Sequence, residues 1–146
     1  MKKLFIAALL TITVAASSFA TPDKKISNLA INNFRFEFAK ASNVSWSTAE
    51  NYYKATFNIG AEKMEAFYNA RGEKVAISRT ISIDELPVKA KRAFAKDYSD
   101  YIVKEAVEME GMEETAYFIA AENDKESVIL RVTGTGGVSN FKTTKK

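Results

Sequence analysis

Two stretches of sequence decide the fold of this protein: AINNFRFEFAK at residues 30–40 and LPVKAKRAFAK at residues 86–96. They begin 56 residues apart, and both end in Phe-Ala-Lys. In each stretch apolar side chains recur at every fourth position, and residues four apart lie on one face of a helix. The stretches therefore predict two amphipathic helices, whose apolar faces carry Ala30, Phe34 and Phe38 in the first and Leu86, Ala90 and Phe94 in the second.

After each helix the spacing of apolar residues changes from four to two, across residues 44–81 and again across residues 101–138. Alternation over short runs is typical of strands that bury one face. Short segments containing Gly or Asn separate the runs, as at residues 60–63, 69–72 and 134–137, and such segments favour hairpin turns. Each helix is thus followed by four predicted strands.

This order predicts an α+β fold made of two tandem helix-plus-antiparallel-meander units, about residues 26–83 and 84–141. Asp84, Glu85 and Pro87 favour the start of the second helix, because acidic residues and proline are common in a first helical turn. A lone unit has a thin sheet with its apolar face half open. We therefore expect the two units to share one sheet, with both helices on one of its faces.

The first 20 residues are predicted to be a secretory signal peptide. Met1-Lys2-Lys3 is positively charged, residues 4–16 are uncharged and mostly apolar, and Ser18-Phe19-Ala20 places small residues where signal peptidase cleaves. Cleavage between Ala20 and Thr21 leaves a single domain, residues 21–146, that is periplasmic or secreted. The chain has no cysteine to carry a lipid, so we expect no membrane anchor.

The composition argues against several classes of function. Removal of Lys2 and Lys3 leaves 21 − 2 = 19 basic residues against 18 acidic ones, so a nucleic-acid partner is not expected. The chain contains no His and no Cys, and it therefore lacks the commonest general base and the thiolate nucleophile. We predict that the protein is not an enzyme and uses no cofactor.

Two groups of side chains are candidate binding sites. Strand alternation predicts that Tyr52, Lys54, Glu65 and Phe67 point away from the helices, on an open sheet face with the mixed aromatic and charged composition of a recognition surface. The weaker alternative is a cation site at Glu108, Glu110 and Glu113, around Gly111, because hard cations bind several oxygen ligands. The spacing of these glutamates matches no EF-hand loop.

Several motifs resemble the PepSY-like, β-lactamase-inhibitor-like family of small periplasmic proteins, and they occur in order along residues 26–141: Asn43-Val44-Ser45-Trp46, Tyr53-Lys54-Ala55-Thr56-Phe57, Ala66-Phe67-Tyr68-Asn69, Arg71-Gly72-Glu73 and Leu86-Pro87. The resemblance implies a tandem αβ fold with a long, curved antiparallel sheet, in a family mostly without assigned activity. The inhibitor of this family holds a partner enzyme on its open sheet face and loops. That inhibitor is braced by disulfides, which this chain lacks.

The sequence therefore predicts an exported, non-enzymatic binding module that holds a protein or peptide of the cell envelope on its helix-free sheet face and hairpin loops. The alternative is a sensor of a small ligand or cation at the acidic hairpin around Gly111. The identity of the partner and the oligomeric state are left open.

Overall fold

A computed structural model describes residues 25–49 and 51–146. The predicted signal peptide and its cleavage site lie outside these residues. Two helices and eight strands follow one another along the chain: α1 (Asn28–Glu37), β1 (Ser42–Ala49), β2 (Tyr52–Ile59), β3 (Glu62–Tyr68), β4 (Lys74–Ile81), α2 (Val88–Asp97), β5 (Ile102–Gly111), β6 (Thr115–Glu122), β7 (Glu126–Thr133) and β8 (Val138–Lys145).

The strands form one open antiparallel sheet in the order β1 to β8, so that each strand pairs with the next one along the chain. The pair β4–β5 joins the two halves of the chain, although α2 lies between these strands in sequence. The predicted α+β class and the single sheet are confirmed. The interpretation of the two halves as copies of one unit stays a prediction.

Helix α1 covers the first half of the sheet with the residues that its spacing of four predicts. Ala30 and Phe34 are buried against a cluster of strand residues that includes Ala55, Phe57 and Tyr68. The ring of Phe34 meets the ring of Phe57 edge-on, with 4.9 Å between their centroids. Burial of one such side chain contributes about 1.5–3 kcal/mol, so this cluster holds α1 to the sheet.

Helix α2 covers the second half in the same way. Leu86, Ala90 and Phe94 are buried against a second cluster, whose strand residues include Ile119 and Leu130. Ile77 packs in the cluster of α1 and Ile81 in that of α2. Because two residues an even number of positions apart on one strand point to the same side of the sheet, both helices cover the same face.

The second helix begins later than predicted. Asp84 and Glu85 lie in a separate 3-10 helix, Ile83–Glu85, which is closed by a capping box with Ser82. The carboxylate of Glu85 accepts a hydrogen bond of 2.7 Å from the Ser82 N–H. The chain then extends through Pro87, the N-cap of α2, whose ψ of 143° is not helical. The acidic residues therefore stabilise a turn at the join of the two halves.

Gly72 fits α1 onto the turn between β3 and β4. Its φ is +78°, and a Cβ at this position would lie 2.6 Å from the Leu29 Cβ and 2.7 Å from the Ala30 N. The Asn33 side chain donates a 2.8 Å hydrogen bond to the Gly72 carbonyl. Only a residue without a side chain allows the helix to approach this closely.

Within the described residues no helix is long and apolar enough to cross a membrane.

Candidate functional site

The four residues of the predicted recognition surface lie together on the face opposite the helices. Across β2 and β3, Lys54 is paired with Phe67 and Thr56 with Glu65. Tyr52 and Phe67 both belong to a cluster that contains no residue of either helix. Ala55, next to Lys54, has the opposite orientation and is buried beneath α1. The predicted assignment of faces is therefore confirmed in β2 and β3.

Lys54 and Glu65 form a polar corner on this helix-free face. The Lys54 Nζ lies 3.0 Å from the Glu65 Oε1, and the Thr56 hydroxyl donates a 3.4 Å hydrogen bond to the same oxygen. The two charged side chains are only 18% and 26% exposed. Because each charge is compensated by the other, this corner offers hydrogen-bonding groups to a partner without an unpaired buried charge.

Phe67 is not the exposed contact residue that the sequence predicts. Its side chain is 1% exposed and packs with Ala76, Met109, Ala116 and Phe118. Alternation assigns a side chain to a face, but it does not say which neighbours lie beside it on that face. Here the neighbours are apolar, and Phe67 is a core residue of the helix-free face. Tyr52 lies at the border of this group and is half-buried.

A continuous apolar strip runs across the middle of the helix-free face. Its buried centre consists of Phe67, Ala76, Met109, Ala116 and Phe118, and its half-buried border consists of Tyr52, Val75, Ile129 and Phe141. The Phe118 and Phe141 rings meet edge-on with their centroids 5.7 Å apart. The strip takes residues from seven strands, β2 to β8, and from both halves of the chain.

Most of this apolar strip cannot be found from the sequence. Met109, Phe118 and Phe141 are far from Phe67 along the chain, and they meet it only because the sheet continues from β4 into β5. The register pairs Phe67 with Ala76 and Ala76 with Gly111. The alternation within each strand predicts only which side of the sheet a residue faces. It does not predict which residues of neighbouring strands are paired.

Charged side chains lie at the second end of the apolar strip. Arg131 of β7 is paired with Phe118 of β6 across the sheet, and its guanidinium forms an ion pair with Glu114. With Lys54 and Glu65 at the other end, the strip has a charged pair on each side. An apolar centre with a polar rim is the usual composition of a protein interface.

The cation site predicted at Glu108, Glu110 and Glu113 stays a prediction. Among residues 25–49 and 51–146, no three acidic, His or Cys side chains lie close enough to hold a metal ion. The Glu108 Oε2 is 2.7 Å from the Arg79 Nε, so its charge is already compensated. The Tyr117 hydroxyl donates a 3.3 Å hydrogen bond to the same carboxylate. Burial, and then the charge of Glu108, raises the pKa of Tyr117.

Arg79 instead links the two halves of the chain. Its guanidinium also lies 3.2 Å from the carboxylate of Glu85, in the 3-10 helix. Hydrogen bonds from the Ser82 N–H and then from Arg79 hold the pKa of Glu85 below its usual value. Glu108 therefore takes part in a structural network with a basic partner, Arg79.

No family model matches this chain, and no curated protein matches it. Several solved structures from Bacteroides are similar to it. A candidate periplasmic protein from Bacteroides eggerthii is 18% identical with a TM-score of 0.75, and the match covers 83% of this chain and 89% of that one. A DUF2874 family protein from Bacteroides ovatus is 23% identical with a TM-score of 0.72, covering 83% and 88%.

The third similar structure is a BLIP-like (β-lactamase-inhibitor-like) protein from Bacteroides fragilis, which is 20% identical with a TM-score of 0.68, covering 83% of this chain and 86% of that one. None of the three names denotes an enzyme family. At these identities the likeness concerns the fold, and it confirms the β-lactamase-inhibitor-like part of the predicted resemblance. This protein therefore has the BLIP-like fold, an open antiparallel sheet with two helices on one face.

Proposed function

We propose that this protein is an exported, non-enzymatic binding module that holds a protein or peptide of the cell envelope on its helix-free sheet face. The proposal includes cleavage of the signal peptide between Ala20 and Thr21, followed by residence in the periplasm or the medium. The likeness to a candidate periplasmic protein supports the compartment. We also propose that the chain is a distant PepSY-like protein.

The apolar strip carries this proposal. Tyr52 and Phe141 lie at its border and are half-buried, so each ring retains surface that a partner would remove from water. Aromatic side chains around an apolar centre are common hot spots in interfaces, because they bury large area with little loss of side-chain freedom. The ion pairs Lys54–Glu65 and Arg131–Glu114 then form the rim that selects the partner.

We further propose that the halves 26–83 and 84–141 are two copies of one unit. Each half consists of a helix followed by four strands, and each helix packs with residues spaced by four. The apolar strip takes Phe67 from the first half and Met109 and Phe118 from the second. On this proposal the copies act together, because neither half alone contains the binding surface.

The absence of enzyme activity is supported by the residue content. The chain has no His and no Cys, and the acidic side chains near the apolar strip are held in ion pairs with Lys54 and Arg131. A general base needs an accessible lone pair and a pKa matched to its task. A carboxylate that forms an ion pair with a neighbouring Lys or Arg side chain is poorly suited to that role.

The test is affinity capture of cell-envelope proteins with residues 21–146, compared with the double variant Tyr52→Ser, Phe141→Ser. Both positions are at the border of the apolar strip, so the variant should keep its fold while losing aromatic contact area. The matched control is Phe36→Ser on α1, where the ring is 92% exposed on the opposite side of the protein. Thermal melting of all three proteins accompanies the capture.

We expect the same partner to be captured by the unaltered chain and by Phe36→Ser, and to be lost with the double variant. A partner that the double variant still captures, while its melting midpoint is unchanged, would show that the helix-free face is not the binding surface. Loss of capture with Phe36→Ser alone would assign binding to the helix-covered side.

A further inference from the structure

A groove lies between α1 and β1, on the side of the sheet that the helices cover. Its volume is about 610 Å³, and the residues on its walls that matter here are Ile31, Phe34, Arg35 and Phe38 of the helical segment with Val44 and Trp46 of β1. The volume is within the range of about 300–1,000 Å³ that is usual for ligand sites. The groove is separate from the apolar strip on the other face.

The floor of the groove ends at an open edge of the sheet. β1 is the first strand in the order β1 to β8, and within the described residues it pairs only with β2. In an antiparallel sheet, alternate residues of an edge strand point their N–H and C=O groups away from the sheet. From Ser45 to Ala49 the pairing with β2 is regular, so five consecutive residues present an even edge.

The two edges of the sheet differ in how they are protected. β8 carries Lys142 and Lys145, and lysines on an edge strand hinder the addition of another strand. β1 has the sequence SNVSWSTA and contains no charged residue. Its one irregularity is the bulge between Ser42 and Ser45, where Asn43 has a φ of +52°. The edge beside the groove is therefore the one that remains open to strand addition.

The wall of the groove carries a positive charge. Arg35 is exposed, and among the described residues no acidic side chain forms an ion pair with it. The acidic residue nearest to it in sequence, Glu37, forms an ion pair with Lys74. An acidic group in the groove would therefore find a cation that no internal ion pair compensates.

We propose that an extended, acidic segment of another protein adds to β1 as a ninth strand. Its backbone pairs with residues 45–49, its apolar side chains enter the groove between Phe38 and Trp46, and its carboxylate meets Arg35. The unpaired edge of β1 favours a partner with an extended backbone, and the apolar walls of the groove favour apolar side chains at alternate positions. Arg35 favours an acidic side chain in the partner. A second copy of this chain fits less well, because it would bring a second Arg35 to the same edge.

Trp46 provides a direct readout. It is the only tryptophan of the chain, it lines the groove, and its ring lies 5.4 Å from the Phe34 ring, centroid to centroid. The probe is the peptide acetyl-Ser-Val-Ser-Glu-Ser-Val-Ser-amide, in which Val and Glu share one face of an extended strand. One control peptide has Lys in place of Glu. The other carries methyl groups on the backbone nitrogens of alternate serines.

We expect the acidic peptide to shift the Trp46 emission in a saturable titration. The N-methylated peptide should bind at least about tenfold more weakly, because it lacks donors for strand pairing. Val44→Lys, which puts a lysine on the open edge at a residue 41% exposed, should weaken binding to the same extent. Arg35→Glu should reverse the preference between the Glu and Lys peptides.

Arg92→Glu on α2 is the matched control for charge, since it makes the same change on an exposed residue of the other helix. Equal binding of the N-methylated and unmodified peptides, or no shift of Trp46 emission up to millimolar peptide, would overturn the proposal. A concentration-dependent shift without peptide, accompanied by dimers in sedimentation that Val44→Lys abolishes, would assign the edge to a second copy and would also overturn it. Neither result bears on the proposed capture of a partner by the helix-free face.

Discussion

Replacement of Gly72 by Ala tests how α1 is fitted to the sheet. Two effects are expected to destabilise the folded state of this variant. An alanine at a φ of +78° is destabilised by about 1–2 kcal/mol, because its Cβ approaches the backbone in the left-handed region. The new Cβ would also lie 2.6 Å from the Leu29 Cβ and 2.7 Å from the Ala30 N, where helix backbone must move. Overpacking of this kind adds about 1–3 kcal/mol.

Gly60 provides the matched control, because it has a φ of +61° but nothing within 4 Å of the position of a Cβ. Gly60→Ala should therefore lower the free energy of unfolding by about 1–2 kcal/mol, and Gly72→Ala by about 2–5 kcal/mol. A difference of about 2 kcal/mol corresponds to roughly 8 °C in melting midpoint for a domain of this size.

The assay is urea unfolding of residues 21–146, followed by the emission of Trp46, whose ring packs on Phe34 beneath α1. The two variants should have equal m-values and different midpoints. Equal losses of stability in Gly60→Ala and Gly72→Ala would refute the reasoning. It would mean that the approach of Leu29 to Gly72 does not constrain the helix.

Three further predictions concern burial and titration. Phe67→Ala should lower the free energy of unfolding by about 3–5 kcal/mol in a urea titration, because its ring is 1% exposed; a loss below about 1 kcal/mol would mean that the ring faces water. Tyr68→Phe should raise stability at pH 7 by about 1 kcal/mol, because the buried Tyr68 hydroxyl has no hydrogen-bond partner among the described residues; a loss would reveal a bound water that the hydroxyl needs. Burial, and then Glu37, raises the pKa of Tyr68, and the hydrogen bond to Glu126 raises that of Tyr101 to about 12. The folded state therefore favours neutral tyrosines, so their contribution is complete below pH 10 and is lost above it. For the buried Tyr68 this loss is up to about 1.4 kcal/mol per pH unit. Unfolding free energies measured from pH 9 to 12 should decline, less steeply in Tyr68→Phe, and parallel curves for the two proteins would contradict the assignment.

The helices and the faces of the first strands could be predicted from local patterns. Ala30 and Phe34, and Ala90 and Phe94, are buried as their spacing of four predicts. The opposite orientations of Lys54 and Ala55 follow from the period of two. These patterns are readable because the geometry of one helix or strand determines which of its own side chains share a side.

The site itself was only partly predictable. Tyr52, Lys54, Glu65 and Phe67 do lie on one face, but the sequence does not show that Phe67 is covered by Met109 and Phe118. Nor does it show that Glu108 forms an ion pair with Arg79, 29 residues away. The start of α2 was misplaced because the capping box of Ser82 and Glu85 closes a separate turn before Pro87.

The sequence by itself determined the class of fold, the composition that lacks His and Cys, and the signal peptide expected before residue 21, since each depends on local pattern or residue content. Only the tertiary structure decided the register of β4 on β5, and with it the apolar strip, the network of Arg79 and the open edge beside Trp46. The physical reason is that contacts between distant segments depend on which backbone groups pair between strands. That choice is made by the packing of the whole sheet and not by any one segment.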